Sequence, residues 1–310
     1  LDNGFTADEA RAAVLRAVAE YRTTISALAA MTHLDVWYAR VDVAALAALV
    51  PEDRQKRFEK GVRKARSRNN LQALGKLGTT AADGTLRIVD QPPLIGHVPG
   101  PADNPAVVNE LLRRYRSTLQ DDRAHLIDRY RFRDSARKVV GVGSVGTDAR
   151  VALFTGEDDS DPLFLQMKEA RASVLAPYAG KSPYRHQGQR VVEGQRLMQS
   201  ASDIFLGWYS GTNRRHYYVR QLRDMKASAD VASMAAHVLE AYAALCGGTL
   251  AHCHARGGDA AVIAGYLGSG APFDEAIADF SADYAAQTTA DHARLLEAID
   301  TGRIIAKSGV

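Results

Sequence analysis

From residue 7 to residue 30 the apolar positions Ala10, Val14, Val18, Tyr21, Ile25 and Leu28 recur at helical spacing, which predicts an amphipathic helix. Thr6 with Glu9 behind it reads as its capping box. Leu34 to Arg40 reads as a short extended passage, Val43 to Leu49 as another helix, and residues 52–77 as continued helix. Gly78 to Gly100 breaks that pattern with Pro92-Pro93 and Pro99, and Leu86-Arg87-Ile88-Val89 predicts a short strand. A further helix is expected over residues 105–130, with no internal repeat and no low-complexity tail anywhere in the chain.

The middle of the chain changes period. Gly141-Val142-Gly143-Ser144-Val145-Gly146-Thr147 lies between Val139-Val140 and Val151-Ala152-Leu153-Phe154, which is strand chemistry on both sides. A dinucleotide-binding glycine motif opens a helix, so these flanks predict a glycine-rich hairpin instead. Gly156 to Pro162 is a polar turn, and Leu163, Leu165 and Met167 then alternate, which turns Lys168 to the opposite face beside Gln166. Arg190 to Met198 reads as a helix carrying Glu193, and His216 to Leu222 as another strand, containing Gln221. A glycine hairpin followed by a strand that aims a lysine beneath it is the arrangement with which kinase-type enzymes hold nucleotide phosphates, the lysine being steadied by a helix-borne carboxylate. Gly141, Gly143, Ser144, Gly146, Thr147, Lys168, Glu193 and Gln221 are therefore the candidate nucleotide-binding residues, with Glu193 as partner of Lys168.

The segments VVGVGSVGT, DPLFLQMKEARASVL, RVVEGQRLMQSASDIFLGW, YYVRQLRDMKASAD and AHCHARGGD resemble the bacterial domain-of-unknown-function 2252 family, and the similarity runs over essentially the whole chain. The resemblance implies an α+β, protein-kinase-like or aminoglycoside-phosphotransferase-like fold with circularly permuted motif order. A small antiparallel-sheet lobe would span residues 135–225, flanked by mainly helical regions at 1–134 and 226–310. It implies ATP or another nucleotide with Mg as cofactor and an unidentified small molecule or protein as acceptor. The family's G-D-x-H-x-x-N and D-F-D stretches do not occur here, and the chain opens at Leu1 without a methionine. The expectation is an N-terminally truncated member whose catalytic base and metal ligands lie upstream, so no catalytic residue is assigned within it. Asp148 stands where a valine packs on adenine in such loops, and Gln166 where a small alanine precedes the lysine.

A rival reading in ordinary kinase order takes His254 to Asp259 as a catalytic loop and Asp279-Phe280-Ser281 as a metal-binding turn. Ala264 occupies the position of the required asparagine, and residues 273–284 keep helical periodicity, so Asp259 reads better as a helix-end residue. Cys246, His252, Cys253 and His254 lack the second ligand pair of a zinc site, and no metal site is assigned. Cys246 and Cys253, the two cysteines of the chain, share a helix face that suits small buried residues and leave no disulfide framework. Trp37 and Trp208 read as core or lobe-junction aromatics.

Net charge is +3 over 310 residues and says little about partners. The run from Arg54 to Arg68 is strongly basic, with readings as a solvated helix face or an anion site; its single aromatic, Phe58, gives no support for nucleic-acid binding. No apolar run approaches the roughly 18 residues of a membrane span, and a cytoplasmic protein is expected.

Overall fold

A computed structural model describes residues 4–40, 55–56, 59–60, 62–63, 67, 69–98, 100, 104–139, 141, 146–222 and 229–306. The class is α+β, with two small antiparallel sheets among the described residues. The chain divides into two compact units, one formed by residues 1–49, 197–200 and 228–310 and the other by residues 50–196 and 201–227. The expected sheet lobe at 135–225 falls in the second unit apart from residues 197–200.

The first unit is helical. Helix α1 (Ala7–Ala29) opens on the expected capping box, with Thr6 Oγ1 accepting from the Glu9 amide and the Glu9 carboxylate accepting from the Thr6 amide. Leu34 to Arg40 is not extended: α2 (His33–Tyr38) forms there because Thr32 caps it, its hydroxyl accepting from the Asp35 amide and donating to the Asp35 carboxylate. That local pair outweighs the extended preference of Val36 and Trp37.

The second unit begins, among elements described whole, with α3 (Asn70–Leu77). Asn69 caps it, so the expected helix over 52–77 is interrupted there; most of its earlier part, like Val43 to Leu49 and much of the Arg54–Arg68 run, lies outside the described residues. Strands β1 (Gly78–Thr80) and β2 (Leu86–Ile88) make the smaller sheet. The larger sheet contains β3 (Ile95–Gly96), β4 (Arg131–Lys138), β5 (Ala149–Thr155), β6 (Pro162–Ala170), β7 (Gly207–Ser210) and β8 (His216–Gln221), in the order β3-β4-β5-β6-β8-β7. Between β3 and β4 run α4 (Pro105–Arg116) and α5 (Asp121–Ile127), where one helix over 105–130 was expected. At the break the Thr118 hydroxyl accepts from the Trp208 amide on edge strand β7 at 3.0 Å and donates to the Tyr115 carbonyl at 2.7 Å, a local side-chain bond that competes with continued helix.

Helices cover both faces of this sheet. On one face Tyr115, Leu119, Ala124 and Ile127 pack on Ala152, Phe154, Leu163 and Leu165. On the other, Ala73 and Leu77 pack on Val151, Leu153 and Phe164. This explains why residues 162–166 are all buried, where alternation alone predicts one buried face. Helix α6 (Ala176–Ala179) and α7 (Gln187–Met198) lie between β6 and β7.

The chain then completes the helical unit with α8 (Ala236–Gly257), α9 (Ala260–Leu267) and α10 (Pro272–Asp300). Gly247 lets α8 approach α1 closely, since a Cβ there would overlap the Ala17 carbonyl. Cys246 is exposed and Cys253 half-buried, which corrects their reading as small core residues. Trp37 is no core residue either: it is about half exposed, with the Arg256 guanidinium 3.9 Å from its ring centroid. Among the described residues no helix is long and apolar enough to cross a membrane.

Candidate functional site

The glycine-rich segment is a hairpin connection, as its flanks predict: β4 and β5 pair antiparallel, Arg137 opposite Arg150, and the loop between them holds Gly141 and Gly146 at φ values of 97° and 75°. Those left-handed conformations suit glycine and disfavour any residue with a Cβ. Thr147 precedes β5, while Gly143 and Ser144 lie outside the described residues. Arg171 Nη2 donates to the Gly146 carbonyl at 2.5 Å and its Nε to Glu169 at 3.0 Å, which ties one side of the loop to the end of β6.

Register assigns the remaining candidates to faces. Lys168 sits on β6 opposite Ala149 of β5 and Tyr218 of β8, so Gln166, Lys168, Tyr218 and Arg220 share one face. Gln221 is opposite Leu165 and therefore belongs to the other face, where its side chain donates to Asp203 at 2.9 Å. Asp148 also turns to that other face, beside Arg150.

Helix α7 lies over the Lys168 face. The His186 and His216 rings stack at 3.9 Å, His216 Nδ1 accepts from the Gln187 amide, and Arg196 lies 5.9 Å from the Trp208 ring centroid. Glu193 rides on this helix but pairs with Arg196 of the same helix at 3.4 Å, not with Lys168. The structure therefore places lysine and glutamate on facing elements without bringing their charges together. Burial, and then the repulsion of His216, pushes His186 down to about 4, so its ring is neutral near pH 7.

Lys168 is half-buried, and among the described residues its ammonium has neither hydrogen bond nor ion pair. Burial first, and then the neighbouring Arg220 charge, holds its pKa below the usual lysine range. Two positions before it, Gln166 is 6% exposed and its amide nitrogen has no acceptor. The sequence marked Gln166 only as a departure from a small residue; the structure makes it a buried donor without a partner. Such a group costs free energy unless an acceptor reaches it. Gln166 and Lys168 give this face an unsatisfied buried donor and a positive charge side by side, which is chemistry suited to an anion.

The segments that build this face belong to a pattern extending along nearly the whole chain. Residues 1–298 match the model of a family described as an uncharacterized protein conserved in bacteria, DUF2252. The chain belongs to this family. No curated protein and no solved structure matches it. In this DUF2252 protein the residues of the ordinary-order kinase reading have structural employment. Asp259 caps α9, accepting from the Ala261 and Val262 amides at 2.9 and 3.1 Å, and Asp279 lies within α10, paired with Arg11 at 2.7 Å. Among the described residues no group of three or more His, Cys, Asp or Glu side chains is placed to hold a metal ion.

Proposed function

We propose that this chain binds the phosphates of a nucleotide, ATP or a relative, on the Lys168 face of the larger sheet, as the nucleotide-binding part of a kinase-like phosphotransferase acting on a small molecule or a protein. The observation that carries the reading is the pairing of an unpartnered, half-buried Lys168 with the buried, unsatisfied amide of Gln166. Arg220 adds charge on the same face, and the left-handed glycines Gly141 and Gly146 stand in the adjoining hairpin. A phosphate supplies the acceptors that this face lacks. The donors fit phosphate, whereas no carboxylate set for Mg accompanies them among the described residues, so no step is derived through the metal.

A silent phosphate-binding module is the second reading. It is favoured by the capping role of Asp259 and the ion pair of Asp279, which leave neither for phosphoryl-transfer chemistry. Both readings require phosphate recognition, which ligand-induced stabilisation measures. The melting temperature is expected to rise in the order adenosine, AMP, ADP, ATP, with inorganic tripolyphosphate reproducing most of the ATP effect. Equal stabilisation by adenosine and ATP, or no shift with any phosphate at about a thousand times a micromolar affinity, would remove the phosphate site. Incorporation of the terminal phosphate into an acceptor then separates the transferase from the silent module.

A further inference from the structure

The face of the larger sheet turned away from Lys168 holds a cavity of about 290 Å³ within the same unit. Helix α4 forms one side of it, through Val108, Leu111 and Leu112. Strands β5, β6 and β8 form its floor, with Phe154, Leu165 and Val219 among the contributors. The lining is mostly apolar, but its polar groups converge. Tyr217 donates its hydroxyl to Asp148 Oδ2 at 2.9 Å and accepts from Asn213 Nδ2 at 3.3 Å, and Arg150 Nε approaches Asp148 Oδ1 at 3.3 Å. The Arg150 side chain is 23% exposed and that of Asp148 18% exposed, so both charges are largely withdrawn from water. Arg150 engages Asp148 through Nε alone, which leaves its two terminal nitrogens without an acceptor among the described residues. The parallel rings of Tyr209 and Tyr217, 5.0 Å apart, give the same cavity a flat aromatic wall.

An apolar body with a few converging polar groups is the form of a small-molecule site, and this volume suits a small occupant. The polar end carries one carboxylate and one guanidinium side by side, which is complementary to a ligand bearing both an ammonium and a carboxylate. A purely anionic ligand would meet Asp148, and a purely cationic one would meet Arg150. We propose that this cavity binds a zwitterion with an apolar or aromatic body, of the hydrophobic α-amino acid class, its carboxylate on Arg150, its ammonium on Asp148 and its side chain among Leu111, Phe154 and Leu165. The site is separate from the phosphate face and does not depend on it. Asp148 immediately precedes β5, its carbonyl accepting from the Glu169 amide at 2.9 Å, and Arg150 is the second residue of that strand, so the pairing of β5 with β6 sets both recognition groups.

Calorimetric titration of the 310-residue chain with L-phenylalanine, 2-phenylethylamine and 3-phenylpropionate tests it. L-Phenylalanine is expected to bind at least about tenfold more tightly than either single-charge analogue. Arg150→Gln should weaken L-phenylalanine and 3-phenylpropionate by about tenfold or more and leave 2-phenylethylamine unchanged, and Asp148→Asn should show the mirror pattern. Leu111→Trp should abolish binding of all three by filling the cavity while leaving any ATP-induced stabilisation in place. The comparison of three ligands on the unaltered protein needs no variant to fold. No heat with L-phenylalanine at millimolar concentration, equal affinity for the three ligands, or binding that survives Leu111→Trp would overturn the assignment.

Discussion

The most informative single residues here are those whose polar atoms are held in unusual company. His97 is one. Its backbone amide and Nδ1 both meet Asp90 Oδ1 at 2.9 Å, and its Nε2 meets Asp134 Oδ2 at 2.9 Å, while that same Asp134 oxygen accepts from the Ile88 amide. Burial alone would lower the His97 pKa, but hydrogen bonds and charge from Asp134 and Asp90 outweigh it, and the net shift is upward. A group with a raised folded-state pKa lends stability that is fully present below its unfolded value, near pH ~6.5, and lost as pH rises through the folded value. In His97→Gln the gap in melting temperature to the parent should therefore be wide at about pH 6 and narrow by about pH 9; a gap independent of pH would show that the clasp does not titrate. Nothing in the spacing of Asp90, His97 and Asp134 announces this cluster, because it forms only when β3 pairs with β4. Gln166 was legible as an oddity for the opposite reason: strand alternation assigns its face directly, although its missing acceptor emerges only with the surrounding core.

At the scale of elements, periodicity and capping chemistry were strong guides. Helix α1 with its capping box, the antiparallel pair β5 and β6, helix α7 and strand β8 all stand where the residue pattern puts them. Residue pattern misleads where a side chain does two jobs. Thr118 looks like a helix residue until an edge strand claims its hydroxyl, and Thr32 looks like a loop residue until Asp35 completes a cap. Pattern also shows which face of a helix is buried without showing against what. Helix α10 meets α1 through Asp274, 4% exposed, whose oxygens accept from Arg22 Nε and Nη2 at 3.0 and 2.8 Å, while Arg22 Nη1 donates to the Ser269 carbonyl. Asp274→Ala should cost about 3–5 kcal/mol in urea unfolding, because it leaves a largely buried guanidinium without its counter-charge. The double variant Arg22→Met with Asp274→Leu should recover most of that loss. Recovery absent, or a single-variant cost below about 1 kcal/mol, would mean the pair is no more than a surface contact.

For the molecule as a whole, the two units differ in how far the sequence could reveal them. The helical unit draws on both ends of the chain, residues 1–49 and 228–310, and local pattern carries no record of that closure. The sheet unit is nearly continuous in sequence, and its central hairpins were correspondingly readable. Its two faces were not: Lys168 and Gln221, grouped as one site by their kinase-like order, turn to opposite sides of the sheet, and Asp148 and Arg150 face a cavity that no local pattern announces. The glutamate expected to hold Lys168 is engaged by Arg196, which leaves the ammonium for an anion.

The central claim is that this face of the protein recognises phosphate through Lys168. Titration calorimetry of ATP into the parent chain and into Lys168→Met measures it most directly. Loss of one charge-assisted contact of about 1.5–3 kcal/mol predicts affinity weakened roughly ten- to a hundredfold in a variant that keeps its circular dichroism spectrum. Unchanged ATP affinity in the folded variant would contradict the account.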